Sequence, residues 1–121
     1  MKYTLPVFIA AATAISAAEY QRLHLPDPQN WIPGSSLFPG NVIAGYNANY
    51  NEHDKESWAA LVLERCESYA DCTSSATYSA INSGTPKYRA WFGYLFRGGQ
   101  TAEADYERAA GVEDSVIYVR E

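Results

Sequence analysis

Apolar positions recur at helical spacing most clearly in the middle of this chain. Trp58, Leu61, Val62, Arg65, Cys66 and Tyr69 fall at i, i+3, i+4, i+7, i+8 and i+11, an apolar stripe interrupted once by Arg65. Asp54 or Ser57 can cap the start, and Asp54 and Glu56 suit the positive end of a helix dipole. A helix is therefore predicted over residues 55–67, with Cys66 on the buried side of its last turn. The next pattern alternates. Cys72, Ser74, Ala76, Tyr78 and Ala80 share one face of a predicted strand over 72–81. Thr73, Ser75, Thr77, Ser79 and Ile81 share the other, which is Thr/Ser-rich and expected to face solvent. After a turn at Asn82-Ser-Gly-Thr-Pro86, a second strand is predicted over 88–96. It sets Tyr88, Ala90, Phe92, Tyr94 and Phe96 against Arg89, Trp91, Gly93, Leu95 and Arg97. These two strands are expected to pair as a hairpin. Residues 42–50 carry a weaker, Asn-rich strand signal. Gly98-Gly99 ends the hairpin, residues 101–110 suit a short helix stopped by Gly111, and 115–119 read as a last strand.

The first forty residues behave differently. Lys2 supplies a positive start, residues 5–14 an apolar stretch, and Ile15-Ser16-Ala17-Ala18 small residues suited to cleavage before Glu19. The apolar run is shorter than the ~20 residues a spanning helix needs, so residues 1–18 read as an export signal and no membrane span is expected. Residues 19–40 read as an irregular Pro-rich arm. Pro26, Pro28, Pro33 and Pro39, with Gly34 and Gly40 among them, are expected to prevent a regular element over 25–40. Trp31, Ile32, Leu37 and Phe38 would pin parts of the arm to a single domain over 41–121.

Charge and composition narrow the partners. The whole chain carries a formal net charge of −5, and loss of Lys2 with the leader makes the mature protein one unit more negative. The charges are scattered with no basic stripe, which argues against nucleic acid or an anionic membrane surface. Aromatic residues make up 14% of the chain. That is more than a small core readily buries, so exposed aromatic side chains are expected. A monomer is expected, and no cofactor.

Cys66 and Cys72 constrain the middle of the chain. A bond between them requires Cα atoms within about 7 Å. A continuous helix would hold them about 9 Å apart and an extended strand about 20 Å. A bonded pair thus demands that the chain leave one element and turn back between them, and export to an oxidising compartment favours the bond. The segment Trp58-Ala-Ala-Leu-Val-Leu-Glu-Arg-Cys66-Glu-Ser-Tyr-Ala-Asp-Cys72 resembles the helix-to-strand joint of the PAN/apple module. Trp91-Phe-Gly-Tyr-Leu-Phe96 resembles that module's following strand, and residues 105–118 its closing portion. The closest resemblance is to degenerate versions in small secreted fungal proteins. It implies an α+β fold with one main helix packed on a small, mostly antiparallel sheet, and a Cys66–Cys72 bridge from helix to strand. It also implies protein or carbohydrate binding. The chain departs from the family at Val62, where the module's other helix cysteine would fall.

Catalytic chemistry has little to stand on. His24 and His53 lie in no nucleophile motif, and Glu52, His53 and Asp54 read as a polar turn before a helix rather than as metal ligands. Glu113-Asp114 and Glu103/Asp105 could supply paired carboxylates for acid/base work but suit ordinary solvated charges. Arg97-Gly98-Gly99-Gln100-Thr101 would suit an anion only if a helix follows it, and a strand-ending turn explains the same residues. Tyr88, Arg89, Trp91, Phe92, Tyr94 and Arg97 are the candidate ligand-binding residues, on an aromatic strand face flanked by arginines. Trp91 and Phe92 must point to opposite faces, so both can be buried only if the sheet is covered on both sides. The expectation is a secreted, non-catalytic recognition module for a glycan or protein, such as an effector. The alternatives are a small secreted hydrolase with a carboxylate site and a toxin-like structural protein.

Overall fold

A computed structural model of the chain describes residues 19–121, and the expected export signal lies outside the described residues. Helix α1 spans Lys55–Glu67. Asp54 caps it by accepting from the Ser57 amide at 2.8 Å, while Ser57 Oγ accepts from the Asp54 amide at 3.1 Å. The strands are β1 (Tyr20–Leu23), β2 (Trp31–Pro33), β3 (Val42–Asn49), β4 (Ser74–Ile81), β5 (Arg89–Phe96), β6 (Tyr106–Arg108) and β7 (Glu113–Arg120). Five form one sheet in the order β1-β7-β4-β5-β3, every pairing antiparallel. The other two, β2 and β6, form a small antiparallel ribbon. The protein is therefore α+β, with one helix packed on an antiparallel sheet.

Both faces of the sheet are covered, by different parts of the chain. On one face α1 buries Trp58, Val62 and Cys66 against Trp91 and Leu95. Gly93 lies between those two on β5, and its missing side chain is what lets the helix in. A Cβ there would stand 2.7 Å from Val62 Cγ2 and 3.2 Å from Thr77 Cγ2. On the opposite face the ribbon and the chain around it bury Leu25, Trp31, Leu37 and Tyr106 against Ala76, Phe96, Ile117 and Val119.

Three expectations need correcting. The arm is not irregular throughout, since Trp31–Pro33 forms β2 despite the surrounding prolines. Ser115 Oγ fixes it to the main sheet, accepting from the Trp31 amide at 2.8 Å and donating to the Trp31 carbonyl at 2.7 Å. The arm also supplies β1, paired to β7 at the sheet edge. The helix expected over 101–110 is instead a short 3-10 turn at Glu103–Asp105 followed by β6. Pairing with β2 wins there, reinforced by Arg108 lying 4.2 Å over the Trp31 ring and donating to the Pro28 carbonyl at 2.8 Å. The third correction concerns β4. Ser75, Thr77 and Ser79, expected in solvent, are buried on the helix side. Their burial is tolerated because hydroxyls find acceptors: Thr77 Oγ1 donates to the Val116 carbonyl at 3.2 Å, and Ser79 Oγ lies 2.9 Å from Asp114 Oδ2.

The bridge joins Cys66 in the last turn of α1 to Cys72, two residues ahead of β4, with Cα atoms 5.4 Å apart. Both cysteines are fully buried. In Tyr106 the phenol is buried and bonded to Thr101 at 2.7 Å, and burial pushes its pKa up to about 12.

Three outcomes follow from this packing. The intact mass of the purified protein will be two hydrogens below the reduced chain, and replacing both cysteines by serine will lower unfolding free energy in urea by about 2 kcal/mol. Two free thiols would contradict the bridge. Gly93→Ala will cost about 1 to 3 kcal/mol through overpacking against Val62, and adding Val62→Ala will recover part of that loss. An additive double variant would mean that the helix does not approach here. Finally, Tyr106 favours folding through its neutral form. That stability is complete below the unfolded phenol pKa of about 10 and is lost as pH rises through about 12. Urea midpoints measured across this window will fall with pH and fall less steeply in Tyr106→Phe. Burial raises Tyr20 and Tyr78 in the same direction, so the variant removes only part of the slope.

Candidate functional site

The ribbon and arm cover only part of their face of the sheet. The covering ends at Phe38, whose ring meets Tyr94 edge-on at 4.9 Å and Phe96 at 5.7 Å. Beyond Phe38 no described residue covers the same face across β4, β5 and β3. Tyr94, Tyr78 and Phe92 follow one another there with near-parallel rings, at centroid separations of 6.4 and 5.9 Å. Each is half-buried. Position 45 is glycine for a related reason, since a Cβ there would stand 3.1 Å from the Tyr94 ring. Burial, with the neighbouring Tyr94 adding to it, raises the Tyr78 phenol above the ordinary tyrosine range.

Amide side chains border this aromatic strip. Asn47 pairs across from Phe92 and Asn49 from Ala90, and both are exposed on β3. Asn82 opens the β4–β5 turn, which is closed by its amide donating to the Tyr88 carbonyl at 2.8 Å. Together these residues line a groove of about 290 Å³ over Asn47, Asn49, Asn82, Tyr88 and Phe92. A second depression of about 240 Å³ adjoins it over Tyr78, Asn82, Phe92 and Tyr94. No residue lining either one is charged. They supply aromatic faces, carboxamides and hydroxyls, a set that recognises neutral polar ligands by stacking and hydrogen bonding.

The structure brings together Tyr88, Phe92 and Tyr94 of the six candidate binding residues. Trp91 lies beneath the helix at 2% exposure, where its Nε1 donates to the carbonyls of Tyr50 and His53 at 3.0 and 3.2 Å. Arg89 shares the helix side, donating to Ser79 Oγ at 3.0 Å and facing Glu113 at 3.6 Å. Arg97 lies past the end of β5, 3.5 Å from Asp71 and donating to the Gly40 and Val42 carbonyls. Tyr78, Asn47, Asn49 and Asn82 are the lining residues the sequence reading missed. The available signal was Gly45-x-Asn47-x-Asn49, a period-two polar face on β3 that matches an uncovered stretch of sheet.

The other candidate chemistry is dispersed. Asp114 lies 2.9 Å from Ser79 Oγ at a bulge in β7 where its φ is 63°, and Glu113 faces Arg89. Asp105 accepts from Ser36 Oγ and the Ala102 amide, and neither carboxylate pair lines the groove. His53 lies against Trp58 with Nδ1 3.2 Å from Ser57 Oγ, Asp54 caps α1, and Glu52 accepts from the Asn49 amide. Among the described residues no three His, Cys, Asp or Glu side chains are placed to hold a metal ion. After Arg97 no α-helix follows, and Gly98 and Gly99 hold φ of 106° and 100° in a strand-ending turn whose Gly99 amide donates to Thr73 Oγ1.

No protein-family model, curated protein or solved structure matches this chain.

Proposed function

We propose that this chain is an exported recognition module that binds a neutral carbohydrate on the open face of its sheet, without catalysing a reaction on it. One observation carries the proposal: the groove and its neighbour are lined by aromatic rings and carboxamides with no charged residue, in a protein of net charge −5. Pyranose rings present apolar C–H faces that stack on aromatic rings and hydroxyls that pair with amides. Tyr78, Phe92 and Tyr94 supply the first kind of partner, and Asn47, Asn49 and Asn82 the second. A hydrolase would need acid and base side chains at the bound substrate, and the lining offers none. A degenerate PAN/apple ancestry belongs to the same reading. It is supported by a helix whose last turn is bridged to the start of a strand hairpin, and it suits a secreted effector.

A protein ligand is a second reading, favoured by β3. This eight-residue strand forms one edge of the sheet, pairs with β5 alone and carries no charge or proline among Val42-Ile-Ala-Gly-Tyr-Asn-Ala-Asn49. Such an edge can accept an added strand.

Screening on an array of neutral glycans, followed by titration of the best binder, separates the two readings. Phe92→Ala is expected to weaken glycan binding by about tenfold or more, the loss of one aromatic anchor worth at least about 1.4 kcal/mol. Glu64→Gln, on the exposed side of α1 and away from the groove, should leave the affinity of the folded protein unchanged. Full affinity in Phe92→Ala would sink the carbohydrate reading, and so would a bare array.

A further inference from the structure

The groove does not end at Tyr88. Beyond it lies a third depression of about 400 Å³, lined by Asn49, Tyr50, Asn51, Tyr88 and Arg89. It shares Asn49 and Tyr88 with the groove, and the groove shares Asn82, Ser83 and Phe92 with the depression over Tyr78. The three thus form one run that starts on the open face and rounds the ends of β3 and β5 towards the side of Tyr50 and Arg89, with Tyr88 as the ridge between the groove and the third depression. Tyr88 is 51% exposed and borders both of them.

Tyr50 makes the third depression more than an incidental hollow. Its ring stacks on buried Trp91 at 5.1 Å with an interplanar angle of 23° while the residue remains 42% exposed. Its backbone carbonyl is held by Trp91 Nε1. One face of the ring is therefore seated on the core and the residue keeps its remaining surface for solvent. Such a ring is oriented before any ligand arrives, which lowers the ordering entropy that binding costs. Asn49 and Asn51 add two carboxamides beside it.

We infer that the three depressions are consecutive subsites for one chain-like ligand, so that the protein binds an extended neutral oligosaccharide across Tyr78/Phe92, Tyr88 and Tyr50 rather than a single terminal sugar. The inference rests on the carbohydrate reading and adds the length and direction of the ligand. β-1,4-linked pyranose chains are the suitable probes, because their equatorial substituents leave each sugar ring a flat C–H face for an aromatic partner.

Calorimetric titration with β-1,4-glucan and β-1,4-linked N-acetylglucosamine series, from monosaccharide to hexasaccharide, tests this. In at least one series the affinity of the unaltered protein should climb by about tenfold or more with length before levelling off. Tyr50→Ala, checked for folding by circular dichroism, should lose that gain on the longer members and leave the shorter ones unchanged, whereas Phe92→Ala should weaken all of them. Binding that depends on Phe92 but not on length would overturn the subsite inference alone, as would Tyr50→Ala leaving every member unaffected. If no member binds the unaltered protein the subsite inference fails, and the carbohydrate reading fails with it when the neutral-glycan array is bare as well. The length series on the unaltered protein stands even if Tyr50→Ala fails to fold.

Discussion

The contact of Val62 with Gly93 sets the parity of the sheet, and with it the identity of every exposed side chain. Helix α1 can lie this close only over a position without a side chain, because Val62 is stiff at its β-carbon and cannot swing away from a new Cβ 2.7 Å distant. With Gly93 on the helix side, strand geometry places Trp91 and Leu95 there too and sends Phe92 and Tyr94 to the other face. Two indole N–H groups hold the arrangement in place. Trp58 Nε1 donates from the helix to the Phe92 carbonyl at 2.9 Å, and Trp91 Nε1 donates outward to the segment preceding the helix. A slip of one residue would bury Phe92 and Tyr94, expose Trp91 and lose these bonds.

Local signals made about half of this architecture legible. Helix α1 begins and ends where its cap and apolar spacing place it, and β4 and β5 pair as their alternation suggests. The misreadings arose where distant residues decide. The hydroxyls of Thr77 and Ser79 read as solvent-facing until β7 supplies partners some thirty-five to forty positions away. β6 looks helical until β2 arrives from the other end of the chain, and the prolines around β2 do not prevent a three-residue strand because Ser115 satisfies both backbone groups of Trp31. Such long-range partners override local propensity, and no short window contains them.

The candidate site was legible to the same partial degree. Alternation required Trp91 and Phe92 to part company, but an aromatic residue stood on each face and neither one by itself reveals which is covered. The smallest residue of the strand was the better guide, since a glycine flanked by Trp91 and Leu95 on one face marks where another backbone comes close. The arginines misled for a related reason. Arg89 and Arg97 share the parity of Trp91, so neither lines the groove beside Phe92: Arg89 meets Ser79 and Glu113 and borders only the depression beside Tyr50, and Arg97 meets Asp71 and the carbonyls of Gly40 and Val42.

Aromatic rings left open are a hazard unless they are fixed, and here Tyr94, Phe92 and Tyr50 each have a backing. Tyr94 lies over Gly45 and against Phe38, Phe92 stacks with Tyr78, and Tyr50 rests on Trp91. Trp91 belongs to the core under the helix, and Phe38 packs against the core under the arm. The arm is thus part of the site through Phe38, whose ring meets Tyr94 at the strip's end. Its length determines where covering stops and the furrow begins. A longer arm would close the face and make an ordinary sandwich of the sheet. Ending the covering at Phe38 leaves a rigid strip of rings beside a row of amides, with little entropy left to lose on meeting a ligand.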